Sequence, residues 1–177
     1  DFERLARGAA GLAGAQAGSD LDPPFAVWLE DWRVEQAGPD RYALTAEVEE
    51  LALELELRDT KGPILQGDRG YSPKGPDPGQ ASYYVSLTRL ESAGQVRLGG
   101  QTFEVQGLSW MDHEFSTSAL GRDQVGWDWF ALHLDDGSEL MFFQIRKADG
   151  SVDPFSSGTY VAPDGQTRPL VAGDFSI

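Results

Sequence analysis

The sequence predicts an all-β fold, a barrel or a sandwich, and three observations lead there. Apolar residues recur at every second position along most of the chain, turn residues punctuate it at short intervals, and no stretch shows a sustained helical period. At least eight short strands follow, with no internal repeat among them. A length of 177 residues is enough for one domain with a real core.

Residues 5–18, LARGAAGLAGAQAG, are rich in Ala and Gly without an apolar stripe and read as a loop or one poor helical turn. From Phe25, FAVWLEDWRVEQ alternates aromatic and aliphatic residues and AGPD turns the chain. RYALTAEV then sets Tyr42, Leu44, Ala46 and Val48 on one face, completing a hairpin. EELALELELRD is a conflict between propensity and period, because Ala, Leu and Glu favour helix while Leu51, Leu53, Leu55 and Leu57 repeat every second residue. A helix would scatter those leucines around its circumference; a strand aligns them and leaves Glu50, Glu54 and Glu56 in water. The strand is the expectation.

KGPILQGDRGYSPKGPDPGQ is so rich in Gly and Pro that it reads as a long loop with turns, and loops of that length tend to be functional or mobile. ASYYVSLTRLES and GQVRLGGQTFEVQGLSWMD supply three more strands, the last two joined across Gly99-Gly100 as a tight hairpin. GWDWFALHL and SELMFFQIRKADG form another, turned at the Asp-Gly pair between them. The abundance of Tyr, Trp and Phe in strands suits a barrel around an apolar ligand and a packed core equally well.

The net charge of −15 argues against nucleic acid and anionic membrane surfaces, both of which reward clustered Lys and Arg. No apolar run is long enough for a membrane-spanning helix, so stable membrane insertion is not expected. Without Cys there are no disulfides, thiolate zinc sites or cysteine nucleophiles. Only two histidines are present, 20 residues apart at His113 and His133, and no metal-ligand spacing appears; no metal is expected. Neither a nucleophile elbow nor a phosphate loop is found.

The residues with chemical potential lie in WMDHEFSTSALGRDQVGWDWFALHL. Along GWDWFALHL, Asp128 shares a row with Phe130, Leu132 and Leu134, opposite Trp127, Trp129, Ala131 and His133. A carboxylate buried in that apolar row would hold its proton as a general acid does; set at the strand's start it would only cap a turn. Along SWMDHEFS, His113 goes with Met111 and Phe115, while Trp110, Asp112 and Glu114 face the other way. Asp128, His113 and Glu114 are therefore the catalytic candidates, with Asp128 as the acid and His113 orienting it or a water. Trp110, Phe115, Trp127, Trp129 and Tyr83 are the candidates for the wall of a ligand pocket. The catalytic pairing carries a condition: Asp128 and His113 must both point into the lumen.

SWMDHEFSTSALG, QVGWDWFALHLDDGSELMFFQIR, DPFSSGTY and LQGDRGYSPKGPDPGQASYYVSLTRL together resemble the carotenoid 1,2-hydratase (hydroxyneurosporene synthase) family, in particular its AttH-like branch of predicted secreted hydrolases. The resemblance runs from about Phe2 to Ile177. It implies a lipocalin-like antiparallel β-barrel, the first of two tandem β domains, with a hydrophobic small molecule as partner and a periplasmic or secreted location. It also implies cofactor-independent hydration, for which His113 matches the His of a His-x-Trp motif and Phe115 stands where that motif has Trp. Asp128 is the looser match to the hydratases' acidic residue. On this reading residues 1–173 are the lipocalin-like domain, incomplete at its N-terminus because the branch carries an upstream Trp-Trp-Tyr strand. Residues 174–177 begin a second β domain that the chain lacks.

Overall fold

The computed structural model describes residues 14–17, 25–116 and 120–177, the first of these by backbone alone. They are all-β and antiparallel, as expected for the lipocalin-like class, with thirteen strands and no helix among the described residues. The strands are β1 (Gly14–Ala17), β2 (Phe25–Leu29), β3 (Trp32–Gly38), β4 (Arg41–Val48), β5 (Leu51–Asp59), β6 (Ile64–Leu65) and β7 (Tyr71–Pro73). There follow β8 (Ala81–Leu98), β9 (Gln101–Ser116), β10 (Gln124–His133), β11 (Glu139–Lys147), β12 (Ser157–Val161) and β13 (Thr167–Val171). They divide into two compact units, the first comprising residues 1–60 and 90–109 and the second 61–89 and 110–177. The long strands β8 and β9 run through both.

In the first unit β1 to β5 form a meander that β8 continues. The period-two reading of EELALELELRD holds: Leu57 is buried while Glu54 and Glu56 are exposed. In register, Leu51, Leu53, Leu55 and Leu57 face Val48, Ala46, Leu44 and Tyr42 of β4, so cross-strand apolar pairs outweigh helix propensity. Three expectations need correction. Residues 14–17 of the Ala/Gly segment are a strand paired with β2, because small residues cost a pleated ladder little when a neighbour supplies the hydrogen bonds; the rest of that segment lies outside the described residues. FAVWLEDWRVEQ is itself a hairpin, turned at Glu30, whose φ is 56°. And the two strands expected between Ala81 and Leu98 are one. Gly94 permits this, for a Cβ there would stand 2.1 Å from the Glu54 carbonyl oxygen of β5. The turn at Gly99-Gly100 is as expected, both residues having positive φ (55° and 80°), as a type I′ hairpin requires.

In the second unit the Gly/Pro-rich segment 61–80 is not wholly loop. Its β6 and β7 pair with β8, setting Ile64 opposite Ser86 and Tyr71 opposite Tyr83. β10 to β13 make a four-stranded meander. The core joins Tyr84 of β8 to Met141, Phe143 and Ile145 of β11, with Trp110, Leu120 and Phe155 packed around them. Below it Glu139, fully buried, accepts from Lys61 Nζ at 2.7 Å and from Arg89. Lys61 also donates to the carbonyls of Gly137 and Ala162. Residues 174–177 are not a strand; the Phe175 ring packs on Phe142 at 4.9 Å.

Candidate functional site

Strand alternation in the second unit turns a polar row inward. On β8, Ser82, Tyr84, Ser86 and Thr88 are all buried, whereas Tyr83 is 57% exposed. β9 lays Trp110, Asp112 and Glu114 against that row. The Asp112 carboxylate accepts from Tyr84 Oη at 2.9 Å, Ser86 Oγ at 2.5 Å and Trp110 Nε1 at 2.8 Å. Tyr84 Oη in turn accepts from Trp129 Nε1 at 3.1 Å. Three donors, two from β8 and one from Asp112's own strand, thus converge on one carboxylate and fix its position. Behind it, Thr159 donates to Gln66 and Gln66 to Ser86, so the row is tied into β12.

Beside this network is a cavity of about 170 Å³, walled by Tyr84, Leu120, Trp127, Trp129, Phe143 and Ile145, with Lys74, Ser82, Glu114 and Ser116 as its polar groups. Trp127 and Trp129 are half-exposed, leaving unusual aromatic area for something to cover. Glu114 accepts from Ser82 Oγ and lies 3.2 Å from Lys74 Nζ. Lys74 also donates to Ser72 Oγ at 3.1 Å and sits 3.6 Å from the centre of the Phe143 ring. Burial pushes the Lys74 ammonium below the ordinary lysine range, against the opposing pull of Glu114. Burial and the neighbouring Asp112 charge push the Tyr84 phenol up, so it stays protonated far into alkali. A larger groove of about 910 Å³ lies in the first unit, but its Arg58 and Glu91 are half-exposed and paired at 2.5 Å, so no charged group there is held away from water.

The titration of Tyr84 has a measurable sign. Its folded pKa lies above the unfolded value of 10.0, so above pH 10 the unfolded chain gives up a proton that the folded protein keeps. The stabilisation is complete below pH 10 and is lost as pH rises beyond it. Tyr84→Phe is expected to cost about 1 to 2 kcal/mol near neutrality, since Asp112 loses a donor and Trp129 an acceptor. The gap to the wild type in urea unfolding should narrow above pH 10. A gap independent of pH would contradict the assignment.

Of the residues proposed from the sequence, Glu114, Trp127 and Trp129 line this cavity and Trp110 supports Asp112. Asp128 and His113 do not meet the condition set for them. Asp128 lies on the other face of β10, half-exposed and 3.1 Å from Arg146 Nε, so it is neither dry nor unpaired. Its row is apolar as read, but Phe130, Leu132 and Leu134 are each more than a third exposed. His113 stands on the opposite side of β9 from Glu114 and packs against Phe115, which stacks on Tyr83 at 5.6 Å. Phe115 and Tyr83 therefore belong to an exposed aromatic strip, completed by Tyr71, and not to the cavity wall. His133 is satisfied structurally, its Nε2 donating to the Thr88 carbonyl at 2.7 Å.

Lys74, Tyr84 and Asp112 were missed. Their signal was present in the alternation of ASYYVSLT, which puts a Ser/Tyr/Ser/Thr row on one face, and in a lone Lys amid Gly and Pro.

A model of the AttH-like family matches residues 1–177. The crystal structure of a protein from Nitrosomonas europaea, assigned as an AttH, is 36% identical with a TM-score of 0.78, covering 89% of this chain and 50% of that one. Kievitone hydratase from Nectria haematococca shares the fold at 13% identity with a TM-score of 0.61, covering 82% of this chain and 45% of that one. The chain thus spans about half the length of each solved relative. No curated protein matches it significantly.

Proposed function

The chain belongs to the AttH-like family, and on that premise we propose that its second unit binds the end group of a hydrophobic small molecule, isoprenoid, polyene or lipid-like, and hydrates a carbon–carbon double bond in it by acid catalysis without a cofactor. The observation that carries the reading is a carboxyl group, Glu114, set in the wall of a cavity that also presents the rings of Tyr84, Trp127, Trp129 and Phe143. Size limits the ligand. A void of about 150 Å³ takes one benzene-sized ring, so about 170 Å³ admits an end group and not a whole polyene.

Protonation of an unactivated alkene needs an acid and a surface that tolerates the cation. The Glu114 carboxyl would give its proton to the less substituted carbon, and the cation would develop against the faces of Trp127, Trp129 and Phe143. Water then adds to the cation and returns its proton to the Glu114 carboxylate, leaving an alcohol. Tyr84, held neutral and hydrogen-bonded to Asp112, fixes Trp129 by accepting its indole N–H. That a hydratase shares the fold supports the same chemistry.

One observation favours a second reading, a non-catalytic carrier: the Glu114 carboxyl lies 3.2 Å from Lys74 Nζ, engaged in an ion pair within the protein instead of being left free to meet a ligand. Incubation with alkenes bearing a dimethylallyl end in ¹⁸O-water separates the two. Labelled tertiary alcohol is expected. Alkene that is bound but unchanged would leave the carrier, and alkene neither bound nor converted would overturn both.

A further inference from the structure

The chain has three lysines, and their amines are held in three different ways. Lys61 is locked between Glu139 and two carbonyls. Lys147 pairs at 2.7 Å with Asp123 at the surface. Lys74 alone reaches into this cavity: its side chain is 13% exposed, its Nζ lies over the Phe143 ring, and its one carboxylate partner among the described residues, Glu114, keeps 38% of its side chain in contact with solvent. The backbone behind it is fixed, since Lys74 N donates to the Gln80 carbonyl at 2.8 Å and Gln124 Nε2 donates to the Lys74 carbonyl at 2.7 Å. The amine is thus presented from an anchored segment into a space sized for a small apolar group.

We propose that Lys74 forms a reversible imine with apolar aldehydes or ketones whose carbonyl end enters this cavity. An amine desolvated beside aromatic rings, with a carboxylate in reach to carry protons, is the arrangement that makes lysine a nucleophile. The ammonium first passes a proton to Glu114, 3.2 Å away. The Nζ lone pair then attacks the carbonyl carbon while the C=O π pair moves to oxygen, and one of the two protons on the now cationic nitrogen passes to that oxygen, giving a neutral carbinolamine. Glu114 returns its proton to that hydroxyl, which leaves as water as the C=N⁺ bond forms. One ammonium and one carbonyl become one protonated imine and one water, with no oxidant or reductant. The lowered ammonium pKa of Lys74 increases its free amine near neutral pH. The inference rests on the proposed function only in placing an apolar ligand in the cavity; hydration by Glu114 is not required for it.

The test uses the full chain with 3-methylbutanal and sodium cyanoborohydride, which reduces imines to stable amines, followed by peptide mapping. Labelling of Lys74 on the order of tenfold over Lys147 is expected, from binding in the cavity and a freer amine together. It should be suppressed by excess 3-methylbutan-1-ol, which fills the cavity and has no carbonyl. Lys74→Arg should lose this label, and alcohol binding to the unsubstituted protein, followed by tryptophan fluorescence, reports on the cavity independently. If the alcohol binds and Lys74 is labelled no more than Lys147, the imine is overturned and the cavity stands. If the alcohol does not bind and Lys74 is unlabelled, both readings fall. If the main label lies on another amine and survives Lys74→Arg unchanged, the imine is also overturned.

Discussion

Replacement of Glu139 by Gln is expected to destabilise the protein by about 3 to 5 kcal/mol, the range for stranding a buried charge by removing its partner. Glu139 is fully buried and faces two cations, Lys61 with a side chain 5% exposed and Arg89 at 18%. The neutral amide offers one acceptor where the carboxylate offered two charged ones, and Lys61 and Arg89 both lose the anionic partner that they share. Against a total stability of about 5 to 15 kcal/mol for a domain, that is a large fraction. Desolvation of three charges also limits what the intact cluster contributes, so replacing all three together, Lys61→Met, Arg89→Met and Glu139→Leu, should cost less than Glu139→Gln alone. Urea unfolding of the three proteins decides it. A single-variant loss below about 1 kcal/mol, the value for an exposed pair, would show that the cluster is not closed to water.

Glu114→Gln carries the largest expected effect on activity. The amide keeps the size of the side chain and can still accept from Ser82, but it has no proton of useful acidity to give. A loss of about 10² to 10⁴ in the hydration rate is expected, the usual share of a positioned acid, with ligand binding retained. Asp128→Asn and His113→Gln supply the contrast. Both side chains point away from the cavity, so each should change the rate by about twofold or less, as surface changes do. If Asp128→Asn abolished turnover and Glu114→Gln did not, the assignment made from geometry would be reversed in favour of the one carried by resemblance. If all three retained full turnover, neither Glu114 nor Asp128 would be the acid.

The period of two was legible throughout, because side chains on any strand must alternate whatever the strand packs against. That is why LALELELRD reads as a strand against its propensity and why Asp128 and Phe130 were rightly placed in one row. The sequence does not say which row is inside. Both rows of GWDWFALHL are apolar, and in SWMDHEFS the more apolar row, Met111 and Phe115, is the one turned away from the cavity. Apolarity therefore pointed Asp128, His113, Phe115 and Tyr83 inward.

What the sequence determined by itself was the all-β class, the row that each side chain shares, the tight turns at Gly99-Gly100 and Asp136-Gly137, and the family. Tertiary structure decided which row faces the cavity. The inward row of β8 is made of Ser82, Tyr84, Ser86 and Thr88, and a buried polar row must be answered by polar partners. Asp112 and Glu114 of β9 answer it, which turns His113 and Phe115 outward. Lys74 comes to Glu114 from 40 residues earlier in the chain, by pairing of a short strand inside a Gly/Pro-rich segment. Such a meeting depends on which strands pair and in what register, and no period within a single strand records that.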